Sequence, residues 1–162
     1  MTIRILKTIF VALIALLCLV YAGQNIANLE MAYQSLAYVM SNVDHATYGD
    51  SFIPAVSSPV LIWAALLLVV GLEFVAGFLS MKGAVDMWSA RNASPETFSK
   101  AKKFALFGSG LGVIVWLGLF GVVGGAVFQM WQTEIGNASM AGAFQLFASC
   151  AFVFIIVSMA EE

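Results

Sequence analysis

The sequence predicts an all-α integral membrane protein: a four-helix bundle of up-down topology, with an outer amphipathic helix after the first span. Three observations carry this expectation. Of 162 residues, 62% are hydrophobic and only 10% charged, whereas a soluble domain carries about 25% charged residues. Four apolar runs are each long enough to cross a hydrocarbon core of roughly 30 Å. The seven basic residues fall on two stretches that alternate with stretches holding none.

The same numbers exclude whole classes of function. Seven Lys and Arg against nine Asp and Glu, at a mean hydropathy of +0.96, cannot coat a water-exposed globule or keep a chain disordered. They supply no basic face for nucleic acid. One His and two Cys remove most of the usual material of catalysis, so neither an enzyme nor a cofactor is expected. A single membrane domain, residues 1–162, is the expected organisation, because the connections are too short to fold alone.

The first span runs from Thr8 to Gly23, with Arg4 and Lys7 placed to snorkel at its inner edge. Met1 to Ala22 also has the basic, apolar and small-residue order of a secretory signal; an uncleaved helix is expected. Beyond it, Leu29, Tyr33, Leu36 and Met40 recur at helical spacing, flanked by Ala32, Val39 and Val43. This marks an amphipathic helix over roughly Ala27–Ser41, either lying at the outer interface or continuing the first span. Asn42 to Pro59, with Gly49, Pro54, Ser57 and Ser58, reads as loop.

The second span, Val60 to Met81, is interrupted only by Glu73. Ser94-Pro95-Glu96 has the form of a helix start, and a short basic helix through Lys100, Lys102 and Lys103 would lead into the third span. That span, Phe104 to Met130, is roughly 40 Å long at 1.5 Å per residue and must tilt or protrude. Gly108 and Gly112 are four apart, as are Gly121 and Gly125, and such pairs let another backbone approach closely. The third span is therefore expected to be central. The fourth runs from Ala138 to Met159.

Charge sets the orientation. Arg4 and Lys7 precede the first span, and Lys82, Arg91, Lys100, Lys102 and Lys103 lie between the second and third. The other two connections hold Glu30, Asp44, Asp50 and Glu134. The positive-inside rule then predicts cytoplasmic termini. Tyr21, Tyr33, Tyr38, Tyr48, Trp63 and Trp131 gather toward the outer side, and Trp88 toward the inner.

Glu73 is the candidate intramembrane polar site. A carboxylate at mid-membrane must be protonated or hydrogen-bonded, and depth counting offers Ser109, Trp116, Ser149 and Cys18 as partners. His45 lies between Asp44 and Asp50, with Glu30 and Glu134 candidate neighbours, but the spacing matches no metal-ligand pattern and no metal is expected. No His lies within a span to ligate a haem. Cys18 and Cys150 fall at similar depth and read as small buried hydrophobes. Gln129 and Gln132 are expected to hydrogen-bond the Asn25, Asn28 or Gln34 region. Tyr33, Asp44, His45, Gln129, Trp131 and Gln132 form a candidate outer face for a partner.

Tyr38-Val39-Met40-Ser41 followed by Asp44, then Pro59, Glu73 and Gly124-Gly125 leading through Phe128 to Met130-Trp131-Gln132, resemble a bacterial family of predicted small integral membrane proteins of unknown function. The resemblance spans roughly Ala22 to Val157. It implies a bacterial inner-membrane protein of four spans and brings no assigned activity.

Two functional expectations follow. The first is a non-catalytic accessory or structural subunit that packs against a larger membrane complex. The second is a small oligomeric transporter or channel that uses Glu73 for proton or cation coupling. The expected partners are the lipid bilayer and another membrane protein or a second copy of the chain, not nucleic acid.

Overall fold

An apolar chain in lipid has no water to satisfy its backbone, so each crossing segment must close its hydrogen bonds internally. The computed structural model describes residues 2–51 and 53–161, and those residues obey this rule with long helices. Helix α1 (Thr2–Ala27) gives way at a single non-helical residue, Asn28, to α2 (Leu29–Met40). Hydrogen bonding runs through the break: the Asn28 N–H donates to the Gln24 carbonyl at 3.0 Å, and the Ala32 N–H to the Asn28 carbonyl at 2.9 Å. The amphipathic helix therefore continues the first span.

Helix α3 (Pro59–Ser89) begins on a proline whose fixed φ suits a first helical position. It runs antiparallel to α1 and α2 along its whole length. Arg4 donates to the Arg91 carbonyl, Gly77 faces Leu19, Asn25 bonds Glu73, and Tyr33 stacks on Trp63 at 4.7 Å between ring centroids. Each step up the first arm meets an equal step down the second. At 1.5 Å per residue α3 is about 46 Å long, so it must tilt or protrude from a core of roughly 30 Å.

Helix α4 (Pro95–Ala101) is capped by Ser94, whose Oγ accepts the Thr97 N–H at 3.3 Å. One residue, Lys102, separates it from α5 (Lys103–Val113), so the basic helix does not run unbroken into the third span. Ile114–Val127 then continues α5 as a π-helix. A π turn holds nearly one residue more than an α turn. Trp116 and Gly125, nine residues apart, thereby fall on one inward face after two turns. At 3.6 residues per turn they would point to opposite sides. Val115, Trp116, Gly124 and Gly125 are all buried.

The third span ends earlier than the apolar run suggests. The Phe128 N–H closes the last wide turn on the Val123 carbonyl at 2.9 Å. Gln129 then takes a left-handed conformation (φ 51°), and Met130–Gln132 form a tight 3₁₀ turn. Unbroken apolarity gave the end at Met130; the stop is conformational and carries no proline. Helix α6 (Glu134–Ser158) starts before the expected Ala138, because Thr133 caps it by accepting the Gly136 N–H at 3.1 Å. The other helices also overrun the predicted spans. Hydropathy marks only the lipid-soluble part, whereas α1 begins at Thr2 and α3 continues past Met81 through Lys82 and Asp86.

The core is stacked in layers. Cys18, Ala76, Trp116, Leu146 and Cys150 meet near the centre, so the two cysteines share one cluster. Val11, Met87, Phe98, Ala105 and Val157 close the basic end. Ala22, Leu66 and Val70, with Met40, Ile62 and Phe128 above them, fill the acidic end.

Lys7 departs from expectation. Its side chain does not snorkel outward; it is buried and donates to Glu161 Oε1 at 2.6 Å. Lys102 pairs with the same oxygen, and Arg4 Nε lies 3.5 Å from Oε2. The Glu161 carboxylate and the Met159 carbonyl, both at the end of the last helix, take up these ammonium groups within the bundle.

Candidate functional site

Glu73 stands near the middle of α3 and is 1% exposed. Its Oε2 accepts a hydrogen bond from Asn25 Nδ2 at 2.9 Å. Two of the expected partners are engaged elsewhere: Ser109 Oγ donates to the Ala105 carbonyl of its own helix, and Ser149 Oγ to the Gln145 carbonyl. Cys18 and Trp116 pack with Ala76 in the neighbouring core cluster. Hydropathy, which falls at Gln24, places Asn25 in the connection beyond the first span. Since α1 runs on to Ala27, the half-buried amide lies against α3, opposite the carboxyl. The signal that would have found it is the apolar stripe from Leu29 to Met40, taken as a continuation of the first span.

Asn25 also lines an apolar cavity of about 490 Å³ between α2, α3, the π-helix and the start of α6, whose walls include Leu36, Leu66, Phe120, Phe128 and Ile135. The amide of the pair thus borders an oily recess rather than a file of polar groups. It can hold a fixed hydrogen bond between two helices. A continuous polar path would need further partners in line with it.

The candidate outer face divides in two. Gln132 is a clamp: its Oε1 accepts the N–H groups of Thr47 and Tyr48 at 2.9 and 2.7 Å, and its Nε2 donates to the Tyr48 carbonyl and to Gln129 Oε1. Tyr48 packs edge-on against Trp131 at 5.5 Å. Gln132, braced by the Gln129 amide, therefore holds the loop after α2, and neither amide meets the Asn25, Asn28 or Gln34 region. Tyr33 is taken up by its stack on Trp63. Asp44 Oδ2 accepts from the Tyr38 hydroxyl at 2.9 Å, a bond that holds the phenol above its ordinary pKa. His45 is half-buried beside it. Among the described residues no group of three or more His, Cys, Asp or Glu is placed to hold a metal ion.

The glycines of the third span serve different neighbours. A Cβ on Gly108 would strike Ser80 and the Ala76 carbonyl of α3; one on Gly112 would strike Cys150, and one on Gly125 the Met140 side chain, both of α6. A Cβ on Gly121 would meet only its own helix, at Leu117. The tightest crossings are others, which the sequence reading missed: Gly83 against the backbone of Ala105, and Gly136 against the carbonyl of Met130.

One polar side chain faces the opposite way. Gln145 lies at the middle of α6, is exposed, and makes no hydrogen bond through its amide to any described residue. Ala138, Ala141 and Ser149 are exposed on the same side at helical spacing, and a Cβ on the adjoining Gly142 would meet nothing within 4 Å. Helix α6 is also the least covered of the four: 22% of its most apolar stretch is buried, against 39% for α1.

Four helices long and apolar enough to cross a membrane, with a buried carboxyl bonded to an amide between two of them, define a small multi-pass integral membrane protein. The chain belongs to the family described as predicted small integral membrane protein (DUF2165), whose model matches residues 3–160. No curated protein and no solved structure matches the chain.

Proposed function

We propose that the chain is a non-catalytic accessory subunit of a bacterial inner membrane, with both termini cytoplasmic, and that it packs through α6 against a larger membrane complex. The observation that carries this reading is Gln145. A primary amide at the depth of the bilayer centre, facing lipid without a partner, is costly, and such residues characteristically find donors and acceptors on another helix. Beside it Ala138, Ala141, Gly142 and Ser149 leave the shallow surface that close helix packing requires, since lipid offers no hydrophobic drive between helices. The test is Gln145→Leu, which keeps the volume and removes the amide. In mild detergent the wild-type protein is expected to migrate with an assembly several times its mass, and the variant mostly alone. Wild-type protein recovered only at its own mass from several mild detergents overturns the reading.

The transport reading rests on Glu73 alone, and the Asn25 bond favours a structural role. Glu73→Gln keeps an oxygen for Asn25, whereas Glu73→Ala removes it. A structural bond tolerates Gln and suffers with Ala; proton coupling is lost in both. Proton or cation flux into proteoliposomes that is abolished by Glu73→Gln, with the fold intact, would reinstate the transporter.

A further inference from the structure

We propose that the basic end of the bundle holds a binding site for the phosphate of an anionic glycerophospholipid from the adjoining leaflet. A recess of about 590 Å³ opens there, lined by Ile3, Arg4, Lys7, Arg91, Asn92 and Ile156. Arg4, Lys7 and Arg91 line this recess with Lys102 close behind, against one carboxylate in the described lining, Glu161; Asp86 and Glu96 at the same end pair with Lys82 and Lys100. Lys7 and Lys102 have side chains only 5% and 3% exposed, and Glu161 4%. Cations withdrawn this far from water are costly unless fully paired. Lys7 and Lys102 both donate to the Met159 carbonyl, and the single Glu161 carboxylate is shared between them and Arg4.

The remaining donors point to a phosphate. Arg4 spends Nη1 on the Arg91 and Ala93 carbonyls, at 3.3 and 2.7 Å, and its guanidinium has other N–H groups to offer. Arg91 spends Nη1 on the Trp88 carbonyl and lies 4.4 Å over the exposed Trp88 ring. That places it at headgroup level, where tryptophans settle. The wall facing lipid is apolar: Ile3 is 63% exposed. Basic recesses with one oily wall at this side of a membrane suit a charged head joined to acyl chains better than a free anion.

The experiment uses the full chain reconstituted in phosphatidylcholine vesicles with and without phosphatidylglycerol, then extracted for native mass spectrometry. Wild-type protein is expected to retain phosphatidylglycerol over phosphatidylcholine. Arg91→Gln and Asn92→Asp, both at accessible positions, should each weaken retention about fivefold for the one unit of charge changed. Lys100→Gln, at an exposed lysine paired with Glu96 outside the recess, should leave it unchanged. Retention unchanged in Arg91→Gln and Asn92→Asp overturns the proposal. Displacement of the lipid by inorganic phosphate at equal concentration also overturns it, by showing a site for the free anion.

Discussion

Asn25 and Glu73 fix each other, and the energetics of that pair are asymmetric. Removing the amide leaves a buried carboxyl without its donor, which costs about 1–3 kcal/mol. Asn25→Leu should therefore lower the thermal midpoint in detergent clearly, while Glu73→Gln stays within about 1 kcal/mol because an acceptor oxygen remains. Equal midpoints for the two variants would remove the bond from the account. At the basic end, burial pushes the Glu161 carboxyl up, but the ammonium groups of Lys102 and Lys7 outweigh it and hold it below the ordinary carboxylate range. Burial likewise holds Lys102 below the usual lysine range. A carboxyl whose pKa is depressed by folding stabilises above its unfolded value, near pH 4.3, and loses that contribution as pH falls through the folded one. Unfolding midpoints should drop more steeply below about pH 4 in wild type than in Glu161→Gln. Glu73 was legible as a lone acid in an apolar run. Its partner was not, because a side chain's neighbours across a bundle depend on register.

Among the elements, glycine was legible as a material but not as a set of contacts. Spacing of four marked Gly108, Gly112, Gly121 and Gly125 alike, yet Gly121 touches no other helix, while Gly83, without any such pair, sits directly against the backbone of Ala105. Gly83→Leu should prevent α3 and α5 from closing and give little monodisperse protein. Gly71→Ala, where a Cβ meets nothing, should be neutral or stabilising by up to about 1 kcal/mol, since alanine is the better helix former. Comparable loss at both positions, measured by yield and thermal midpoint, would contradict a close crossing of α3 and α5 at Gly83. The π-helix escaped the sequence for a related reason: apolar pattern reports period only when polar residues interrupt it, and Ile114–Val127 contains none.

For the whole molecule, the proposed orientation, read from charge placement by the positive-inside rule, is open to chemical test. Ala46 lies in the loop at the acidic end and Ala93 in the turn at the basic end, and the native cysteines Cys18 and Cys150 are both buried. In intact cells a membrane-impermeant maleimide that enters the periplasm should label Ala46→Cys and not Ala93→Cys, against little background. The opposite pattern would invert the bundle and move the proposed phospholipid site to the other leaflet.

Hydrophobicity by itself determined that this chain is a four-span membrane protein, because apolar length against bilayer thickness is a one-dimensional quantity. The placement of seven cations by itself determined which ends lie together. What the tertiary structure decided is which polar group meets which. The continuation of α1 into α2 brought Asn25 to Glu73, the turn at Gln129 sent Gln132 to Tyr48, and the closing of the bundle drew Lys7 and Lys102 inward onto Glu161 while leaving Gln145 outside. The physical reason is the same in each case. In lipid all four helices are apolar on most faces, so pattern does not say which face turns inward, and the choice falls to close packing and a few hydrogen bonds between residues far apart in the chain.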